Sequence, residues 1–394
     1  MKTKQLRWYF TSVLSLLTSL SSLAVAAESF SWHGFVAQGV TQAKDSNAIN
    51  DEGEVSLALT EVGLNGQWTL NSKWRLAGQV VYLNGGNRYP EGARLDYLFI
   101  DWSLLDNFDH QLNLFIGRYK NQHWLYSSTR DVPFTRPAII LPQSIYYDAF
   151  RDIAVASDGV AVKGYRQFTK GELEYNWSMG ATNISQAQSR LLLSPLVNGK
   201  TSQKYVQQAS VFWQGAGSQM SWGMSVLDSE FSYRAADLDF FTDADVTVQR
   251  VMLNWQYQQE LWQLAAELSQ ERVQLNGFFS PTFSNNQFGV GGYLMGRYRL
   301  TEQLNVLAVL DYQANNKDDK RGSQLPQQGV PAYFGYQQSM MLGGSYQLAP
   351  RWRLQAEHHW VDGTGRLSPS IIPDVQNNRD RYWQLWAVQL MYWF

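Results

Sequence analysis

The sequence predicts an all-β protein: a transmembrane, antiparallel, up-and-down β-barrel of sixteen strands, with its long third loop folded into the lumen. Three observations carry this. Segment after segment alternates apolar and polar residues, the period of a strand with two unlike faces. The connections between those segments alternate short and long. The chain is rich in amphipathic rings, with 16 Trp and 21 Tyr, yet no apolar run past the first 27 residues approaches the roughly 18 that a membrane-spanning helix needs.

The amino terminus comes first. Lys2, Lys4 and Arg7 precede an apolar stretch from Trp8 to Leu23 that ends in Ala24-Val25-Ala26-Ala27. This is the layout of a secretory signal peptide, so residues 1–27 are read as a leader and 28–394 as the mature barrel. Losing three of 32 basic residues against 34 acidic ones leaves a mild acidic excess. Such a balance argues against a nucleic-acid partner, which calls for a basic surface. Cysteine is absent, which removes disulfides and thiolate chemistry.

Four segments show the alternation most clearly. Trp352 to Trp360 sets Trp352, Leu354, Ala356, His358 and Trp360 against Arg353, Gln355, Glu357 and His359. Trp262 to Leu268, Leu173 to Met179 and Trp74 to Tyr82 do the same, with Glu267, Glu174 and Arg75 on their polar faces. A looser reading gives sixteen strands, near 29–41, 53–69, 72–84, 93–104, 110–119, 152–167, 171–183, 203–214, 218–233, 244–258, 261–273, 286–300, 302–313, 336–348, 351–361 and 381–394. Even-numbered strands are followed by short turns such as Leu70-Asn71, Gln259-Glu260 and Ala349-Pro350, odd-numbered ones by longer segments rich in Asp, Asn, Ser, Gly and Pro. Because lipid cannot satisfy an open sheet edge, the first and last strands must pair, and an even strand number places both ends on one side.

The longest connection, residues 120–151, is the third on its side. Long loops of this kind are usually functional or disordered. Phe134, Ile139, Ile140, Leu141, Ile145, Tyr146, Tyr147 and Phe150 give it apolar surface to pack, and Pro133, Pro137 and Pro142 stiffen it. It is therefore read as an ordered constriction, with Arg118, Lys120, Arg130, Asp131, Arg136, Asp148 and Arg151 as its charged residues. Within it, basic residues outnumber acidic ones, and basic rings favour anions in a pore. Arg75, Arg297, Arg299 and Arg353 have lumen-facing parity, as do Glu174, Glu267 and Glu357, so anion preference, cation preference and indifference all stay open. Arg118 falls in phase with Leu112, Leu114 and Ile116, which a bulge at Gly117 or a packed wall beneath the loop would reconcile.

In the last strand Trp386, Val388, Leu390, Tyr392 and Phe394 occupy every second position up to a final Phe. This resembles the closing strand of Gram-negative outer-membrane porins, and with sixteen strands and a long third loop the resemblance covers the whole chain in layout. Gly117-Arg118 is similar to the Gly-Arg step in the fifth strand of general porins, whose Arg lines the pore. The acidic Pro-Glu-Phe-Gly-Gly type of loop tip is missing, and Thr129 to Pro137 looks more like loops of less-studied proteobacterial porin families. The resemblance implies passive diffusion of small hydrophilic solutes or ions, with a mild anion preference, through a bacterial outer-membrane channel. It also implies a surrounding of lipid and lipopolysaccharide, recognition of the last strand by the barrel-assembly machinery, no cofactor, and room for a homotrimer.

Competing classes are a sugar- or anion-specific channel, a barrel enzyme of phospholipase or protease type, and a non-conducting adhesive barrel. An enzyme needs an oriented His beside a nucleophile or an activated water. Only His33, His110, His123, His358 and His359 are available, and the adjacent pair cannot share a strand face. No His-x-x-x-His spacing points to a metal, and Asp318-Asp319 reads as a solvated loop tip. Non-enzymatic conduction is the expectation.

Overall fold

The computed structural model describes residues 29–367 and 378–394; the predicted leader, 1–27, lies outside them. Among the described residues there are sixteen strands: β1 (Phe30–Lys44), β2 (Thr60–Thr69), β3 (Trp74–Asn84), β4 (Gly92–Asp106), β5 (His110–Lys120), β6 (Ala156–Phe168), β7 (Gly171–Ala181) and β8 (Lys200–Gly215). The second half comprises β9 (Met220–Arg234), β10 (Ala244–Gln258), β11 (Trp262–Gly277), β12 (Ser284–Arg299), β13 (Leu304–Ala314), β14 (Tyr336–Ala349), β15 (Trp352–Asp362) and β16 (Tyr382–Trp393). Each pairs antiparallel with its neighbours in sequence, and β1 pairs with β16, so the sheet closes.

The seam is short-range and specific. Gly34 and Phe394 exchange two backbone hydrogen bonds, each 3.0 Å, and the Phe394 ring packs edge-on to Trp32 at 5.5 Å. A Cβ on Gly34 would come within 2.4 Å of that ring. The glycine is what lets the terminal ring lie flat on the wall.

The period-2 pattern becomes two faces. Val36, Leu64, Val80, Ile100, Val251, Leu253, Leu268, Leu310, Met340 and Leu342 are exposed and form an outward apolar belt. Near the short turns the belt ends in paired rings: Trp74 on Trp102 at 5.0 Å, Tyr257 on Trp262 at 5.1 Å and Trp352 on Tyr392 at 4.8 Å. A closed ladder with an apolar exterior and an aromatic girdle is the form that satisfies every backbone group inside a bilayer. Trp386, Val388, Leu390 and Tyr392 share the outward face, while Leu385, Ala387, Gln389 and Met391 point inward and are buried.

Three departures from the sequence reading have local causes. β2 begins at Thr60 and not near 53, because Gly53 takes a left-handed φ of 67° and Leu59 is drawn against Ile49; of 53–59 only Ser56 bridges to Thr41. β6 begins at Ala156 and not at 152, because Arg151–Ala154 closes a helical turn and Asn121 N–H is bonded to Val155 O at 2.9 Å. The connection after β7 holds a helix, Gln186–Leu192, capped by Ser185 Oγ on the Gln188 N–H.

Arg118 is a correction. No bulge occurs at Gly117: the ladders run unbroken through Leu98↔Arg118 on one side and Arg118↔Asp158 on the other. Gly117 instead has a φ of 124°, a conformation that only glycine adopts readily. Arg118 stays in phase with exposed Leu98, Ile116 and Val160, and its Nη1 donates to Asp158 Oδ2 at 2.9 Å. The side chain lies on the outer face of the wall, paired, and does not line the interior.

Candidate functional site: the long third loop and the inner wall

Residues 121–155 join β5 to β6, and their sequence supplies two kinds of anchor. The first is apolar. Trp124, Ala138, Leu141, Ile145 and Tyr146 pack with Met252, Ala265, Tyr293, Met295, Leu307, Val309 and Met341 of the inner wall. Ile139 and Ile140 join Val361, Leu385 and Ala387, and Phe134 stacks on Trp393 at 5.0 Å. This inner face of β10–β14 is more apolar than a water-filled interior requires, and the loop explains why.

The second kind is polar, and it reaches most of the circumference. On β15, Glu357 accepts from the Ile139 N–H at 2.8 Å and the Ile140 N–H at 2.9 Å. On β11, Glu267 accepts from the Leu125 N–H at 3.0 Å, Tyr146 Oη at 2.5 Å and Tyr293 Oη at 2.8 Å. Ser210 Oγ of β8 and Ser225 Oγ of β9 donate to Gln122 O and His123 O at 2.6 and 2.7 Å. Glu174 of β7 accepts from Gln122 Nε2, and Gln355 Nε2 and Arg353 Nη1 of β15 donate to Pro137 O and Phe134 O at 2.7 and 2.8 Å. The exposed ends of a loop backbone that would otherwise need water find partners on the wall.

The loop's charges are buried and neutralised in pairs. Lys120 Nζ bonds both Asp96 and Asp131 at 2.6 Å. Asp131 also takes Arg151, whose side chain is 3% exposed. Arg130 meets Asp148 at 2.5 Å, with Arg88 on the other carboxylate oxygen at 3.2 Å, and Arg136 meets Glu61 of β2 at 2.7 Å. Burial opposes the charge on Asp131, but Arg151 and Lys120 outweigh it and hold the carboxyl well below the usual carboxylate range. The ion pairs bring these residues together against the wall. Their arrangement corrects the expectation of a basic ring, because their positive surplus is spent on Asp96 and Glu61 of the wall rather than shown to an aqueous space.

The remaining predicted residues divide by partner. Arg75 meets Asp101 at 2.5 Å and keeps 42% of its side chain exposed. Arg297, Arg299 and Arg353 occupy the inward face of β12 and β15 near the short turns, and among the described residues none of them is ion-paired. Arg299 donates to Glu260 O at 2.8 Å, and Arg353 lies within electrostatic range of Arg297. The histidines scatter: His110 meets Tyr175 at 2.8 Å, His358 faces outward to Gln384 at 3.2 Å, and His359 turns in to Glu357 at 3.0 Å. Asp319 commits its carboxylate to Ser323 and Gln324, and among the described residues no cluster of three metal-ligating side chains forms.

Sequence reasoning missed Glu61, Asp96, Arg88 and Arg250. Asp96 sits beside a strand bulge between β3 and β4, which scrambles the parity that marks an inward residue. Arg250, paired with Glu271 at 2.7 Å and lying over the Trp124 ring at 5.4 Å, had the inward parity that signals it. His123 lies beside it, 1% exposed, its ring tilted 54° against that of Trp124 with centroids 4.1 Å apart, and neither ring nitrogen is hydrogen-bonded among the described residues.

On the long-loop side of residues 138–149, a cavity of about 550 Å³ opens between the loop, neighbouring connections and the ends of β13–β16.

No protein-family model matches this sequence, and no curated protein does. Solved structures do. OprB of Pseudomonas putida superposes with a TM-score of 0.58 at 10% identity, covering 94% of this chain and 95% of its own. The anion-selective porin from Comamonas acidovorans gives 0.55 at 11%, over 93% and 99%, and the outer membrane channel DcaP of Acinetobacter baumannii gives 0.55 at 11%, over 93% and 97%. The fold is that of an outer-membrane porin. At these identities the likeness concerns backbone architecture alone.

Proposed function

We propose that this porin-like barrel is a passive channel of the bacterial outer membrane for small hydrophilic solutes or ions, with a mild preference for anions. The observation that carries the reading is the pair Arg297 and Arg299 on the inward face. Guanidinium groups of like charge without acidic partners need water around them, which supports an aqueous interior at the short-turn end. The wall anchors of residues 121–155 support a loop folded inward as the constriction. Solutes then pass what the docked loop leaves open, and the inner arginines bias the passage toward anions. The barrel sits in lipid and lipopolysaccharide, as a single barrel or a homotrimer, and Trp386, Val388, Leu390, Tyr392 and Phe394 form the strand read by the assembly machinery.

Purified protein in a planar bilayer under a salt gradient tests this. Discrete conductance steps with a reversal potential on the anion side are expected, moving toward cations in Arg297→Glu with Arg299→Glu. An unmoved reversal potential would return these arginines to the bland role of solvated wall residues.

A further inference from the structure

The cavity beside the loop is neither a packing flaw nor a plain vestibule. At about 550 Å³ it lies within the size range of sites for small organic molecules. Ile140 and Leu141 of the loop and Val309, Met341, Val361 and Leu385 of the inner wall make much of it apolar. Set into that apolar surround are polar atoms with no protein partner. Arg366 Nε and Asp311 Oδ1, both on cavity-lining residues, are buried and unbonded among the described residues, as is Arg88 Nη2.

Their neighbours fix them in place. The Arg366 guanidinium lies over the Tyr147 ring at 4.8 Å, and the Arg366 backbone N–H donates to Gln337 Oε1 at 3.2 Å. Among the described residues no carboxylate comes within ion-pair distance of it. Asp311 uses only its other oxygen, accepting from the Ser144 N–H at 3.3 Å. Arg88 is already held by Asp148. Buried polar atoms without a protein partner call for an explanation, and here two of them face one mostly apolar cavity.

We infer that this cavity binds a small organic anion with an aromatic-sized apolar body, its carboxylate taken by Arg366 and a hydroxyl donating to Asp311 Oδ1. The inference deepens the channel reading and rests on it for how the solute arrives. A guanidinium fork matches a carboxylate in shape and charge. An inorganic anion would satisfy Arg366 but leave Val309, Met341 and Leu385 in water. A sugar would find Asp311 Oδ1 for one hydroxyl but would press others against those apolar side chains. Only a solute with a charged end, a donor and an apolar body uses all three features.

Isothermal titration of the full-length protein in detergent with 4-hydroxyphenylacetate, its uncharged counterpart 4-hydroxyphenethyl alcohol, and glucose tests this. The acid should bind saturably, about tenfold or more tighter than the alcohol, and glucose should give no saturable heat. Arg366→Gln should bring the acid down to the alcohol's level, and Asp311→Asn should weaken 4-hydroxyphenylacetate more than phenylacetate. Met341→Trp, which fills the cavity without touching a charge, should abolish binding while the barrel still migrates as folded. Equal binding of acid and alcohol, no saturable heat, or binding that survives Met341→Trp overturns the inference. Parallel bilayer recordings separate it from the reading it rests on: conductance without binding overturns this inference alone, and binding without conductance overturns the channel alone.

Discussion

Replacing Glu357 by Ala should release the loop's central stretch from the wall. Glu357 is 6% exposed and accepts two backbone N–H groups, from Ile139 and Ile140, at 2.8 and 2.9 Å. Each is a hydrogen bond to a charged acceptor, worth about 1.5–3 kcal/mol, so the pair contributes about 3–6 kcal/mol to docking. The neighbouring apolar contacts of Ile139 and Ile140 with Val361, Leu385 and Ala387 remain and set the residual protection. Amide hydrogen exchange reads the change locally, because opening free energy converts to protection. The Ile139 and Ile140 amides should exchange about 10²–10⁴ times faster, while ladder amides of β14 and β15 stay as slow as before. Unchanged exchange at 139 and 140 would refute the argument that this carboxylate anchors the loop. A loss of protection throughout β15 would refute the claim that the barrel holds without it.

Other tests address separate parts of the account. Burial, followed by the nearby charge of Arg250, pushes the His123 imidazole down to about 3. A released loop would titrate it near its ordinary 6.5 and so bind the proton first; docking strength is therefore full above pH 6.5 and falls as pH drops toward 3, by up to about 1.4 kcal/mol per unit. His123→Phe should flatten that dependence in loop exchange measured from pH 7 to 4, and an unaltered slope would remove His123 from the explanation. Arg136→Ala strands Glu61 as a buried, unpaired carboxylate and should destabilise the docked loop by about 3–5 kcal/mol, seen as protease cleavage within 128–136; resistance equal to wild type would count against the pair. Deleting Phe394, or Gly34→Leu, should lower the yield of heat-modifiable barrel on gels by disturbing the β1·β16 seam, and normal yields would show that the terminal ring is dispensable.

The fold was legible because the bilayer imposes a periodicity that short-range sequence records. Trp352 to Trp360 shows both faces of β15 in nine residues, and the structure keeps every one on the predicted side. Strand ends were less legible where a side chain or glycine overrules alternation, as Gly53 and Leu59 do before β2. The site was partly legible. Loop charges such as Lys120 and Arg136 stand out in sequence, but whether they face water depends on partners 24 and 75 residues away, Asp96 and Glu61. No local pattern carries that. Arg118 shows the reverse case: its parity placed it outward, and the resemblance to general porins pulled the expectation inward.

The central claim is that sixteen strands close around a loop that leaves an aqueous path biased by inner arginines. Single-channel recording of the purified full-length protein is the most direct test. Discrete, cofactor-independent conductance steps whose reversal potential under a salt gradient favours anions are the result expected. A protein that migrates as a folded barrel and inserts into the bilayer, yet passes no current, would contradict it.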